Sequence, residues 1–137
     1  SGSPGLGKTF LSACIARVVS ERGYSVVYDT AIHVFGRFEA EKFGREENGS
    51  TLRYLKCDLL ILDDLGSELT TPFIQSALYE LVNTRLITGK HTVISSNLSL
   101  RDIALRYSGQ VSSRIAGEYR LLEFWGEDIR KLKNSSF

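Results

Sequence analysis

Apolar positions along this chain alternate between a helical rhythm and short continuous runs, and the alternation marks out the elements in turn. Over residues 9–22, Leu11, Ile15, Val18 and Val19 recur on one helical face, and Gly23 stands where a left-handed cap ends a helix. Residues 24–28 are rich in β-branched and aromatic types, which predicts a short strand. Residues 31–43 return to the helical pattern, and a polar turn region follows over 44–50. A continuous apolar strand is predicted over 58–62, ending in Asp63 and Asp64; such a run suits a strand covered on both faces. Residues 71–86 carry the clearest helical signal. Pro72 suits the first turn, Ile74, Leu78, Leu81 and Val82 form the apolar face, and Gly89 follows the end. A strand over 91–95 closes on Ser96 and Asn97, and 121–125 reads as a last strand. Between them, short helices over 100–107 and 111–115 flank a turn at Ser108 and Gly109. Strands and helices joined by short connections imply an α/β three-layer sandwich with a central parallel sheet.

Composition narrows this picture. A chain of 137 residues, 42% hydrophobic and 24% charged, has material for one domain with a true core and too little for two. A net charge of +1 carries no global signature of a nucleic-acid or membrane binder, so any such surface is a local patch. No apolar run approaches the roughly 20 residues that span a bilayer, and the expectation is a cytoplasmic protein with no membrane partner. Cys14 and Cys57 lie in apolar stretches without a CxxC or CxxH companion, and are expected to be reduced core thiols. The chain contains no methionine and opens directly on a phosphate-binding motif. That motif is the turn between a strand and a helix, so the expectation is a piece of a longer protein whose first strand lies upstream.

The chemistry begins at that motif. Gly2, Ser3, Pro4, Gly5, Leu6, Gly7, Lys8 and Thr9 match GxxxxGK[ST] at every fixed position. Glycines let the backbone wrap the phosphates, and the positive end of the following helix adds to the field. Lys8 supplies a mobile charge to the β- and γ-phosphate oxygens, and the Thr9 hydroxyl ligates Mg²⁺. With Phe10, these residues are the expected contacts for ATP or ADP. Asp63, at the tip of the apolar strand, is where a metal-orienting carboxylate is required, and Asp64 is the candidate base for the attacking water. Glutamate is usual in that role. The shorter Asp64 suggests slow hydrolysis, as in a timed switch.

Asn97 follows the next strand, where its amide can reach a γ-phosphate or the attacking water; an asparagine there also serves as a plain turn residue. Arg114 lies in a short helical segment before the last strand. From there it could reach the γ-phosphate held by a neighbouring protomer, or remain a solvated surface charge. Arg85 and Arg106 are weaker candidates for the same interface.

The succession GSPGLGKT, LLILDDLG, TVISSN and SSRI before a final strand resembles the AAA+ ATPases. Within them it is similar to bacterial helicase loaders of the DnaC and DnaI type and to the related IstB transposition helpers. The resemblance covers essentially the whole chain. It implies Mg²⁺-dependent ATP hydrolysis and homo-oligomeric arcs or spirals with nucleotide at subunit interfaces. By position, Lys8 and Thr9 are the phosphate and metal residues, Asp63 and Asp64 the acidic pair, Asn97 the first sensor and Arg114 the arginine finger.

The resemblance also implies a replicative ring helicase as partner and a channel for single-stranded DNA, lined here by residues 35–45 and 70–73. Phe35, Phe38, Lys42, Phe43, Arg45, Thr71 and Phe73 are the candidates, combining stacking surfaces with phosphate contacts. Phenylalanines at helical spacing are also ordinary core residues, and Glu39, Glu41, Glu46 and Glu47 dilute the positive field. With residues given to Phe137, no helical lid like that of many AAA+ proteins is expected, and the resemblance to the loaders implies the same. The partner-binding region of a loader is expected upstream. Two rivals remain: a transposition helper acting on duplex DNA, and an ATP-locked scaffold with negligible turnover.

Overall fold

The computed structural model describes residues 7–122. Gly7, in the left-handed region at φ 88°, turns the chain into helix α1 (Lys8–Glu21), which stops before Gly23 at φ 89°. Strand β1 (Val26–Thr30) follows, and the Thr30 side chain caps helix α2 (Ala31–Lys42) by accepting from the His33 amide. Past a turn comes a short helix, α3 (Leu52–Lys56), then the central strand β2 (Leu59–Leu65). Helix α4 (Pro72–Ile87) has Pro72 in its first turn and Thr71 as its cap. Strand β3 (His91–Ser96) and helices α5 (Leu100–Arg106) and α6 (Gly109–Glu118) complete the described residues.

The sheet order is β1-β2-β3 and every pairing is parallel. Alternation along β2 separates two layers. Leu60 and Leu62 join Val34, Phe35, Leu78 and Val82 in the main core, beneath α2 and α4. Ile61 is fully buried but outside that cluster, on the face where α1 crosses all three strands. This is the expected three-layer arrangement. Its strands place their C-terminal tips along one edge, where open α/β sheets bind ligands.

Several expectations need correction. The α1 stripe is partly covered: Ile15 and Val19 are half-buried, Leu11 and Val18 are exposed, and Ser12 is the buried residue of the helix. Leu11 and Ile15 instead line a groove of about 650 Å³ that runs past Ile94 of β3 and Ile115 of α6. Because α1 sets Ser12 against the sheet, Cys14 is exposed rather than a core thiol; Cys57 is buried as expected. The α3 helix was unforeseen, since five residues are too few for a periodic signal. Its entry is organised by Glu41, which accepts from the Gly49 amide and the Thr51 hydroxyl. Residues 123–125 of the last predicted strand lie outside the described residues.

Arg85 is the largest correction. It is fully buried rather than at an interface. Its guanidinium donates to the Tyr54 carbonyl (2.8 Å), the Thr92 hydroxyl (2.8 Å) and the His91 carbonyl (2.7 Å). One side chain thereby fastens α4 to the end of α3 and the start of β3. Arginine suits this use because its planar fork presents donors in several directions at once.

Candidate nucleotide-binding site

Gly7 and the first turn of α1 set the geometry of the site. A helix start leaves its first amides without intrahelical partners and carries a partial positive charge, which together favour an anion. Lys8 and Thr9 occupy that turn. Gly2, Ser3, Pro4, Gly5 and Leu6 lie outside the described residues, and Phe10 is exposed on α1. Burial lowers the Lys8 ammonium below its ordinary pKa, while Asp64 and then Asp63 raise it. Lys8 therefore sits in the field of both carboxylates, and the two sequence motifs converge in space.

Asp63 is buried at the end of β2. Its Oδ1 accepts from the Ser95 hydroxyl, and its Oδ2 lies 3.3 Å from the Tyr28 hydroxyl. The same Tyr28 hydroxyl lies 3.4 Å from the carbonyl oxygen of Thr9. Burial first, and Asp63 second, raise the Tyr28 pKa, because both favour the neutral phenol. Asp64 is exposed and left-handed at φ 58°, the one non-glycine positive φ among the described residues. The β2–β3 register shifts between Leu62 and Leu65, so regular pairing lapses here. The Asp64 amide donates to Ser95 Oγ at 3.2 Å, and its carbonyl accepts from the Ser67 hydroxyl at 2.8 Å.

Beyond Asp64 the loop is tied down. Gly66, at φ 103°, donates its amide to Glu68 Oε2 at 2.9 Å, and the Tyr107 hydroxyl donates to Glu68 Oε1. Arg106 reaches the Thr70 hydroxyl (2.7 Å) and the Glu68 carbonyl (2.6 Å), so it braces this loop instead of projecting toward a neighbour. Burial, then Glu68, holds the Tyr107 pKa far above the ordinary phenol value.

Thr9 and Asp63 offer hard oxygen donors, the type Mg²⁺ prefers, and Tyr28 touches both residues with one hydroxyl. Among the described residues no group of three or more His, Cys, Asp or Glu forms a self-contained metal cage. Mg²⁺ held with a nucleotide needs only one or two protein oxygens, such as those of Thr9 and Asp63, beside waters and phosphate oxygens. The residues present therefore fit a nucleotide-bound Mg²⁺.

Asn97 is exposed just past β3, on the same edge as the acidic pair. Ser96 Oγ donates to the Leu65 carbonyl at 2.6 Å and accepts from the Leu98 amide at 3.0 Å. Arg114 is half-buried on α6 and donates to the Asn83 side chain of α4, so within one protomer it is not drawn into the Lys8 cluster.

The seven candidates for single-stranded DNA divide. Phe35 is 1% exposed and belongs to the core, which removes it as a stacking platform. Phe38 packs against Tyr54 with ring centroids 6.0 Å apart. The Thr71 side chain caps α4 by accepting from the Ile74 amide at 3.2 Å. The other four gather together, Lys42, Phe43 and Arg45 exposed and Phe73 half-buried against the core. Phe43 is 61% exposed, its ring 6.5 Å from Phe73; Lys42 Nζ stands 4.8 Å from the Phe73 centroid, and Arg45 Cζ 5.9 Å from that of Phe43. Glu41 and Glu46 are held elsewhere, Glu41 on the 49–51 loop and Glu46 on Arg37 at 3.3 Å. They dilute this patch less than the sequence suggests.

Sequence reasoning missed Tyr28, Ser95 and the Glu68–Tyr107 pair. Their partners lie 19 to 39 positions away, so only the tertiary fold brings them together.

A family model described as IstB-like ATP binding protein matches residues 1–111. A putative ATP-binding protein of an insertion sequence in Mycobacterium tuberculosis is 30% identical over 70% of this chain and 38% of its own length. The replicative helicase loader DnaC of Buchnera aphidicola is 25% identical over 100% of this chain and 58% of its own. Among solved structures, the DnaC helicase loader superposes with a TM-score of 0.80 at 25% identity, covering 90% of this chain and 75% of that one. The chain thus spans less than two thirds of the length of either relative. With its P-loop fold and the acidic pair set beside Lys8, this chain belongs to the IstB-like ATP-binding protein family and has the AAA+ architecture of the helicase loader.

Proposed function

We propose that this chain is the ATP-hydrolysing core of a protein that places a ring-shaped replicative helicase on single-stranded DNA. The observation that carries the reading is Lys8 at a helix start, in the combined field of Asp64 and Asp63. In this reading the amides of the first α1 turn and Lys8 bind the phosphates, while Thr9 and Asp63 hold Mg²⁺. When bound, that cation neutralises developing charge on the phosphate oxygens. Asp64 orients and polarises the attacking water. Asn97 reports the γ-phosphate from the end of β3, and Arg114 of one protomer completes the site of the next. Exchange of its bond to Asn83 for a phosphate contact would couple assembly to hydrolysis. The Phe43–Phe73 patch, with Lys42 and Arg45, supplies stacking faces and cations for a single strand.

A second reading has its own support: the insertion-sequence relative and the family model both favour a transposition helper on duplex DNA. The test is ATP hydrolysis by the intact protein, titrated separately with single-stranded and duplex DNA, with Lys8→Ala as the blank. Stimulation by single strands is the expected result. Stimulation by duplex alone transfers the assignment to the transposition helper. Tight ATP binding with no hydrolysis above the blank would leave an ATP-locked scaffold.

A further inference from the structure

The Asp63 carboxylate is held from both sides by hydroxyls that no motif specifies. Oδ1 takes the proton of Ser95 Oγ from β3, and Oδ2 faces the Tyr28 hydroxyl from β1 at 3.3 Å. We propose that Tyr28 and Ser95 are positioning residues that clamp Asp63, fixing the orientation in which its carboxylate meets the nucleotide-bound cation. The inference rests on the ATP–Mg²⁺ reading above and adds two residues to it.

The chemistry of each member supports the assignment. An ionised carboxylate accepts at about four lone-pair positions, so one donor on each oxygen leaves the remaining positions for a cation or its waters. Ser95 acts twice. It donates to Asp63 and accepts from the Asp64 amide at 3.2 Å, where the β2–β3 register has lapsed. One hydroxyl thus stands in for a ladder bond and sets the relative placement of both acids. Tyr28 has a single proton and two acceptors, Asp63 Oδ2 and the Thr9 carbonyl at 3.4 Å. It therefore spans the acidic strand and the first turn of α1, the two places from which the proposed metal donors come.

Partners that orient a metal ligand are typically worth about 10- to 100-fold in metal affinity. The experiment measures nucleotide affinity of the intact protein with Mg²⁺ and with EDTA, and Mn²⁺ binding by electron paramagnetic resonance. The proteins compared are unaltered, Tyr28→Phe, Ser95→Ala and Ser95→Thr. The expected result is a loss of about tenfold in the Mg²⁺-dependent gain for Tyr28→Phe and Ser95→Ala. Affinity in EDTA stays constant, Mn²⁺ binding weakens in parallel, and Ser95→Thr restores most of the gain. An unchanged gain in Tyr28→Phe, or in a Ser95→Ala that melts normally, overturns the clamp. So does an equal loss with and without metal, the mark of a purely structural role. If the unaltered protein binds nucleotide with no gain from Mg²⁺, the metal reading falls first and the clamp with it.

Discussion

Replacing Arg85 by methionine keeps most of the side-chain length, removes the charge, and leaves three oxygen acceptors and the Cys57 sulfur without their donor. The three are not equivalent. The bond to the Tyr54 carbonyl is buried, and an acceptor orphaned there costs about 1–3 kcal/mol. The Thr92 hydroxyl is part-buried and can rotate, while the His91 carbonyl belongs to an exposed residue that water can reach. Against these losses stands relief from burying a guanidinium, which is why the net is smaller than three charged hydrogen bonds would suggest. A loss of about 2–4 kcal/mol is expected, a large share of the ~5–15 kcal/mol typical of a domain. With a urea slope of ~1–3 kcal/mol/M, the midpoint should fall by about 1–2 M with the slope unchanged. Arg85→Lys should lose nearly as much, since one ammonium cannot span acceptors on α3 and on two residues of β3. A midpoint within experimental error of the unaltered protein, together with lost ATP hydrolysis, would refute this reasoning and return Arg85 to an interface.

Arg114→Ala should leave ATP binding intact and abolish stimulated hydrolysis; failure of a mixture with Lys8→Ala to restore any activity would remove support for action in trans. Phe35→Ala should cost about 3–5 kcal/mol in denaturant unfolding. Phe43→Ala should leave stability within about 0.5 kcal/mol and weaken single-strand binding in a fluorescence titration. Gly66→Ala places a Cβ 2.6 Å from Leu98 Cδ1 at φ 103°. Leu98 can shift but the backbone cannot, so a stability loss of about 1–2 kcal/mol is expected from the dihedral alone. Tyr28, Tyr54, Tyr107 and Tyr119 are all raised by burial. The unfolded chain releases those protons from about pH 10 while the native chain retains them, so their stabilisation is complete below that pH and lost as the pH climbs toward the native values. Tyrosinate absorbance should therefore rise together with the loss of helical circular dichroism, and less steeply in Tyr107→Phe.

The elements legible in the sequence were those whose signal is local. Pro72 and its apolar face announced α4, and the unbroken run through Leu62 announced a strand buried on both sides. The acidic pair was legible because a strand tip is a fixed address in a parallel sheet. What escaped depends on which strands become neighbours. Nothing near Phe35 marks it as core while Phe43, eight residues on, is surface; the difference is that α2 turns one toward β2 and carries the other past its end. Arg85 reads as a surface cation until α3 and β3 supply its oxygens. Ser95 and Tyr28 read as ordinary strand residues, since each meets Asp63 only across a register.

The left-handed backbone at Asp64 narrows the set of residues that can occupy that position. Asparagine and glycine adopt φ near 58° with little strain, as aspartate does, whereas longer or branched side chains resist it. A glutamate there, the commoner base, would have to be accommodated by a conformation that suits it poorly. The two residues that fit best after aspartate carry no charge. If Asp64 is the base proposed above, exchange to asparagine separates folding from turnover, giving a folded protein that holds ATP without hydrolysing it. On that proposed role, a hydrolysing switch and a nucleotide-locked scaffold differ at this loop by one substitution that the backbone tolerates.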